Sequence, residues 1–203
     1  MTIRKSLFAA TTMLAALAAI PATQAWGADW YVGAGVGSSH LKGGAASLDP
    51  NIATEGTVTS LDDKSTGWKV FGGYQFNQNW AAEMIYAKFG KFSLHHTITG
   101  GTAVDRAKPD ALCLAGVGTL PLSGKWSVLG KAGVCHWNDH ASDTESVTEI
   151  VEESSGTDPM FGLGASYSMT KQVDIRGEWE RYQNVVHNRG DVNLFSVSLS
   201  YRF

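Results

Sequence analysis

The last nine residues, FSVSLSYRF (195–203), alternate apolar and polar side chains along their whole length. Apolar or aromatic residues occupy the odd positions, while three serines and Arg202 occupy the even ones. A period of two is typical of a β-strand that has one face in an apolar environment. The stretch therefore predicts a final strand that ends at Phe203.

The same alternation recurs in seven earlier segments, at 30–37, 67–76, 80–87, 112–120, 126–135, 161–169 and 173–180. The sequence thus predicts eight strands, each of about ten residues. Short spacers at 77–79, 122–125 and 170–172 alternate with long polar stretches at 41–64, 91–108, 139–157 and 183–190. This layout is typical of a transmembrane β-barrel, with short periplasmic turns and longer external loops.

The two faces of the predicted strands indicate which side meets lipid. The apolar face is thin, with large residues next to alanine or glycine, and the other face carries Lys69, Glu83, Lys131, Arg176, Glu178 and Glu180. Lipid fills the gaps between such residues on an outer surface, whereas a soluble core built from the same face would contain voids. The pattern favours an all-β, eight-stranded antiparallel barrel whose last strand pairs with the first, because an open edge is costly in lipid. A soluble barrel of the lipocalin type is the alternative.

Aromatic residues cluster near both ends of the predicted strands. One group lies near the termini and short turns: Trp30, Tyr74, Phe76, Trp80, Trp126, Tyr167, Tyr201 and Phe203. A second group lies near the long polar stretches: Tyr86, Phe89, Trp137, Trp179 and Tyr182. We expect these groups to form the two aromatic girdles of a membrane barrel.

The N-terminal 25 residues have the composition of a secretory signal peptide. Arg4 and Lys5 precede an apolar run at 7–20, which is followed by a small-residue site ending at Ala25. We expect cleavage there, with residues 26–203 forming one barrel domain; an uncleaved anchor is the alternative. Removing the leader leaves a net charge near −5, which disfavours nucleic acid as a partner.

Four stretches carry a resemblance to a known family: GWKVFGGYQFNQNWAAEMIYAKFG (67–90), KWSVLGKAGVCHW (125–137), GLGASYSMTKQVDIRGEWERYQN (162–184) and SVSLSYRF (196–203). They are similar to the OmpA-like transmembrane domain. The resemblance implies an eight-stranded barrel in the outer membrane of a Gram-negative bacterium, with Tyr201 and Phe203 as part of the signal read by the assembly machinery. Because the chain ends at Phe203, we expect no peptidoglycan-binding domain.

A charged cluster in the lumen is expected from residue parity and from the resemblance. Glu83, Lys131, Arg176 and Glu178 point inward, where charges need partners. We expect Arg176 to bridge Glu83 and Glu178, with Lys131 nearby. The resemblance implies a second charged pair, but Ser166 and Val117 stand at its positions. A catalytic pair of Glu83 and Glu178 is the alternative, which poor substrate access disfavours.

Cys113 and Cys135 are the only cysteines, and both point inward on one predicted hairpin. Each lies about ten residues from the short turn, so the two are expected nearly opposite each other, within disulfide reach. Export to an oxidising compartment favours a bridge. Two buried free thiols are the alternative.

The remaining polar groups indicate a surface role rather than catalysis. The histidines near the long loops, including His95, His96, His136 and His140, match no metal motif, so no metal or cofactor is expected. The segment 139–158 has seven acids and no lysine or arginine; it could meet divalent cations that bridge lipopolysaccharide, contact a host surface, or simply be solvated.

We therefore predict a structural, surface-interacting outer-membrane barrel, with no catalytic residue. Its expected partners are outer-membrane lipids, lipopolysaccharide, the assembly machinery and surface or host ligands. A narrow pore and a lipid-modifying outer-membrane enzyme are the alternatives.

Overall fold

The structure is a computed structural model that describes residues 29–43, 57–98, 101–145, 148–186 and 190–203. The predicted signal peptide, residues 1–25, lies outside these ranges. The described residues form eleven strands: β1 Asp29–Lys42, β2 Thr57–Asp62, β3 Lys64–Gln75, β4 Trp80–Lys88, β5 Phe92–Ile98, β6 Gly101–Ala107, β7 Pro109–Pro121, β8 Trp126–Glu145, β9 Thr148–Ser168, β10 Val173–Val186 and β11 Gly190–Arg202. No helix within those ranges is long and apolar enough to cross a membrane.

Eight of these strands close into the predicted antiparallel barrel. The ring runs β1-β3-β4-β7-β8-β9-β10-β11, and β11 returns to β1 with Val36 opposite Val197. Closure pairs the backbone groups of the first and last strands, so the barrel wall has no open edge in lipid. The pairing of the terminal strand with the first strand is confirmed.

The outer face of the barrel is apolar and accessible, which confirms the predicted sidedness. Side chains such as Val36, Leu163 and Val197 are 59%, 63% and 61% exposed; Val36 and Leu163 alternate with glycines, and Val197 alternates with the buried Ser196 and Ser198. The turns at 76–79, 122–125 and 169–172 lie together at one end, which is the periplasmic end in barrels of this type. In the first of these turns Asn77 Oδ1 accepts hydrogen bonds from the backbone N–H groups of Asn79 and Trp80.

The opposite, extracellular end contains strands where the sequence predicted polar loops. β8 and β9 remain paired to Glu145 and Thr148, and β6 joins β8 from Ala103↔Glu145 to Arg106↔Ser142. β5 then pairs with β6, and β2 with β5. The expected loops at 41–64, 91–108 and 139–157 are therefore partly a five-stranded extracellular sheet. Their sequences do not alternate apolar and polar residues, because this sheet lies outside the lipid that imposes the pattern.

The mouth of the barrel has an apolar interior, which corrects the predicted outer girdle. Phe89, Trp137 and Tyr182 are at most 1% exposed and point inward instead of toward lipid. Tyr86 and Trp179 keep the outward orientation. Beyond the membrane, water wets the outer face, so apolar residues are buried in the lumen. The resulting mouth core consists of Leu41, Phe89, Phe92, Ala107, Ala111, Trp137, Met160, Tyr182, Val185, Val186, Val192 and Leu194.

Candidate functional site: the barrel lumen

A compact charge network occupies the middle of the lumen. Three carboxylates, on Glu83, Glu178 and Glu180, meet three cations. The cations are Lys69, Lys131 and Arg176. These six residues are 9% exposed or less, and their formal charges sum to zero. Each comes from an inward position of β3, β4, β8 or β10, so strand alternation alone directs all six into the lumen.

Lys131 is the central cation of the network. Its Nζ lies 2.7 Å from Glu83 Oε2, 2.6 Å from Glu178 Oε1 and 3.4 Å from Glu180 Oε1. Arg176 Nη1 lies 2.5 Å from Glu83 Oε1. The structure thus brings the four predicted cluster residues together, but Lys131, not Arg176, bridges Glu83 and Glu178. The expectation of an Arg176 bridge is wrong because Lys131, on the strand β8, reaches between both carboxylates.

Lys69 and Glu180 complete the network and were not among the predicted cluster residues. Lys69 Nζ lies 2.6 Å from Glu178 Oε2 and 2.7 Å from Glu180 Oε2. Both residues follow the same inward parity as the other four, so the signal was present in the sequence. Which inward charges meet, however, depends on contacts across the barrel between distant strands.

Aromatic rings surround the network and limit water access. The Tyr31 hydroxyl donates a hydrogen bond to Glu83 Oε1 at 2.9 Å, and Tyr182 donates one to Glu180 Oε2 at 3.2 Å. The Arg176 guanidinium carbon lies 5.0 Å from the ring centroids of Tyr31 and Phe71, within cation–π range. The buried charges therefore have both carboxylate and ring partners, which offsets part of their desolvation.

A smaller polar group lies nearer the periplasmic end. Arg202 Nη2 is 3.2 Å from Asp174 Oδ2, and Ser168 donates a hydrogen bond to Asp174 Oδ1 at 2.6 Å. The positions of the second pair implied by the resemblance remain uncharged: Val117 is buried and Ser166 is half-buried. The periplasmic lumen therefore carries a different ion pair from the one that the resemblance implies.

On the extracellular side of the charge network, the Trp137 indole covers the β9 wall at Gly156. Trp137 Nε1 donates to Asp158 Oδ2 at 2.8 Å, and Asn184 Nδ2 donates to Asp158 Oδ1 at 2.8 Å. Asn184 has a φ of 51°, a left-handed conformation that asparagine tolerates better than most residues. Its backbone N–H bonds Asp191 Oδ1 at 3.1 Å, which links the cover to the start of β11.

Cys113 and Cys135 lie directly opposite each other on β7 and β8, and the structure joins them in a disulfide. They are 2% and 1% exposed. Two residues toward the periplasm, Ala115 pairs with Glu83; two residues toward the exterior, Ala111 pairs with Trp137. The bridge therefore lies between the charge network and the indole cover.

Tyr201 and Phe203, the residues of the expected assembly signal, lie on the outer face at the periplasmic end. Their ring centroids are 5.3 Å apart, and Tyr74 and Phe76 repeat this arrangement near the first turn. Among the residues whose side chains are described, no three potential metal ligands come together. The side chains of His96 and His140 lie outside that set, as does His187.

The side chains of the lumen are arranged in a way that favours a structural role. Its charges are balanced and paired, ring side chains surround them, and an apolar core lies above them. An eight-stranded barrel has an interior just wide enough for side chains. The ion pairs join side chains from β3, β4, β8 and β10 across the lumen.

Comparison with known proteins agrees with this architecture. The family described as OmpA-like transmembrane domain matches residues 25–203. Outer membrane protein A of Shigella dysenteriae is 25% identical over 210 residues, which covers 98% of this chain and 56% of that protein. The chain therefore spans about half the length of the curated relatives it matches.

Solved structures show the same fold. The crystal structure of Ail, the attachment invasion locus protein of Yersinia pestis, matches with a TM-score of 0.58 at 16% identity, covering 87% of this chain and 99% of that chain. Ail in complex with the heparin analogue sucrose octasulfate matches with a TM-score of 0.55, at the same identity and coverage. The chain belongs to the family of OmpA-like transmembrane domains and is a β-barrel of the outer membrane.

Proposed function

We propose that this protein is a structural outer-membrane barrel whose extracellular sheet makes contacts with ligands at the cell surface. The observation that carries the proposal is the continuity of β8 and β9, which run from the short periplasmic turns into the five-stranded extracellular sheet. A sheet that grows directly from the barrel wall holds its surface in a defined position above the membrane. Binding surfaces benefit from such preorganisation because less conformational entropy is lost on contact.

The chemistry of this sheet supports an interaction with charged partners. Segment 139–158 carries seven acidic residues and no lysine or arginine. Divalent cations that bridge lipopolysaccharide and cationic patches on a host surface are both suited to it. Ail, which shares the fold, is an attachment protein by name and binds a heparin analogue, and this supports a surface role for the present chain.

Adhesion by whole cells tests the proposal. One variant replaces residues 141–152 by Asn-Gly, a turn that suits the remaining antiparallel pair His140↔Glu153. We expect cells that carry the full chain to adhere to wells coated with epithelial cells, and cells with the shortened hairpin to adhere less. Equal surface amounts, checked by gel mobility before and after boiling, make the comparison valid. Equal adhesion by both strains would contradict the proposal.

A narrow pore is less well supported. The charge network and the mouth core both obstruct the lumen, so an ion would have to displace the side chains of both to pass. In planar bilayers we expect the purified barrel to give no steady conductance. A steady conductance that persists in the Lys131→Met variant would favour the pore.

An enzymatic role is also not proposed. The buried carboxylates Glu83 and Glu178 are paired with cations and have no route for a lipid substrate from the outer face. We expect no release of fatty acid from phospholipid in detergent micelles.

The proposed route to the membrane begins with removal of residues 1–25 and leaves 26–203 as the barrel domain. The assembly machinery then reads the terminal strand through Tyr201 and Phe203, and the assembled outer face contacts outer-membrane lipids and lipopolysaccharide. A mature protein that begins at Trp26 would support the first step, and one that retains Met1 would contradict it.

A further inference from the structure

The disulfide occupies a place that no protein oxidant can reach in the finished barrel. Cys113 and Cys135 point into the lumen, and their outer side is the sheet wall facing lipid. Toward the periplasm the next inward row contains Glu83, held by Lys131 and Arg176. Both sulfurs are therefore enclosed by described groups that are themselves fixed by ion pairs.

The extracellular approach is closed as well. The Trp137 indole lies one inward row above the bridge and is 1% exposed. Its hydrogen bond to Asp158, the strand partner of Cys135, holds the ring against β9, one inward row above the bridge and beside it. A Cβ added at Gly156 would lie only 2.5 Å from the indole, so the ring is packed closely against β9 at this level of the lumen.

Formation of a disulfide requires more room than this enclosure offers. A thiolate must attack a sulfur of the oxidant, and the second thiolate must then attack the mixed disulfide. Both steps need a sulfur of the oxidant next to the cysteine, and the oxidant protein must fit there with it. We propose that Cys113 and Cys135 are oxidised in the periplasm, on an uncovered β7–β8 hairpin, before the barrel closes.

The reaction is a thiol–disulfide exchange with a periplasmic protein disulfide as the oxidant. One cysteine thiolate displaces a thiolate from the oxidant and forms a mixed disulfide. The other cysteine thiolate then breaks that bond and forms Cys113–Cys135. The hairpin loses two electrons and two protons, and the oxidant is released as a dithiol.

The topology allows this order of events. β7 and β8 are consecutive and joined by the four-residue segment 122–125, so their pairing needs no other strand. Oxidation at Cys113↔Cys135 fixes the register of this hairpin before its neighbours arrive. A register slip by one residue would turn every side chain of the strand to the other face, so the bridge also selects the lipid-facing side.

Oxidation kinetics of the purified chain provide the first test. The chain is refolded in detergent micelles under reductant, freed of reductant, and given oxidised glutathione; loss of free thiols is compared with that of the chain in urea. We expect oxidation of the closed barrel to be slower by at least about 100-fold, because it needs local opening. Rates within about threefold of each other would overturn the proposal.

A pair of tryptophan variants locates the barrier. Trp137→Ala removes the indole cover and should speed oxidation of the reduced barrel, whereas Trp80→Ala, on the outer face, should leave the rate unchanged. Equal rates in the two variants would show that the indole does not protect the sulfurs.

The order of events in cells is the second test. It shows whether oxidation precedes barrel closure even if the reduced chain fails to fold in micelles. Pulse-labelled cells are quenched with a thiol-alkylating reagent at successive times. We expect the oxidised chain to appear before the form whose gel mobility changes on boiling, with Cys113→Ser/Cys135→Ser marking the position of the unbridged chain. A boiling-sensitive barrel with two alkylated thiols that precedes the oxidised chain would refute the order.

Discussion

Replacement of Lys131 by methionine tests whether the charge network stabilises the barrel. Lys131 contacts three carboxylates, at 2.7 Å, 2.6 Å and 3.4 Å, and its removal leaves the enclosed network with a net charge of −1. Removing one partner of a buried ion pair typically costs about 3–5 kcal/mol. With a urea dependence of about 2 kcal/mol per molar, the unfolding midpoint should fall by about 1.5–2.5 M.

Urea unfolding in detergent micelles, followed by tryptophan fluorescence, measures this shift. The seven tryptophans provide the signal, and loss of the boiling-sensitive gel band checks that the barrel itself has unfolded. The double variant Lys131→Met/Glu83→Gln restores neutrality, with Glu178 and Glu180 facing Lys69 and Arg176. We expect it to recover part of the lost stability.

Lys171→Met, at an exposed turn position, serves as the matched control and should shift the midpoint little. A Lys131→Met midpoint within about 0.3 M of wild type would refute the reasoning, since it corresponds to well under 1 kcal/mol. A double variant no more stable than Lys131→Met would show that uncompensated charge is not the cause of the loss.

Three further predictions follow from other features. Replacing both Cys113 and Cys135 by alanine should lower the free energy of unfolding by about 3 kcal/mol, since their sequence separation is 22; an unchanged urea midpoint would contradict this. Gly156→Ala should cost about 1–3 kcal/mol, because the new Cβ meets the Trp137 indole at 2.5 Å, whereas Gly177→Ala has open space; equal midpoints would argue against a packed cover. Phe203→Ala should reduce the amount of assembled barrel in the outer membrane more than Phe76→Ala, which alters an equivalent ring pair; equal losses would remove the terminal strand's special role.

The barrel wall could be predicted from sequence because lipid and lumen impose opposite chemistry on alternate residues. Val197 and Ser198 show the rule clearly, since one is 61% exposed to the lipid side and the other 1% exposed in the interior. The disulfide partners could also be placed, because one short turn sets the register of their hairpin. Both predictions depend only on local spacing.

The extracellular part could not be predicted in the same way. Trp137 and Tyr182 fall in the predicted girdle because they lie near the long polar stretches, although their parity points to the lumen. Beyond the membrane the apolar side chains turn inward, and parity is the better guide. Strands such as β9 continue as Thr148–Pro159 with no apolar alternation to mark them. The partner of each lumen charge was equally hidden, because Lys69 and Glu178 meet across 109 residues of sequence.

The mouth core has a consequence for how the chain enters the membrane. Its apolar side chains cannot pack until the extracellular segments have crossed the bilayer, since only then do water and the outer sheet enclose them. Each large buried side chain then contributes about 1.5–3 kcal/mol. Drawing the segments back would require unpacking Trp137, Tyr182 and Phe89 together. The packed core therefore opposes withdrawal of the extracellular segments through the bilayer.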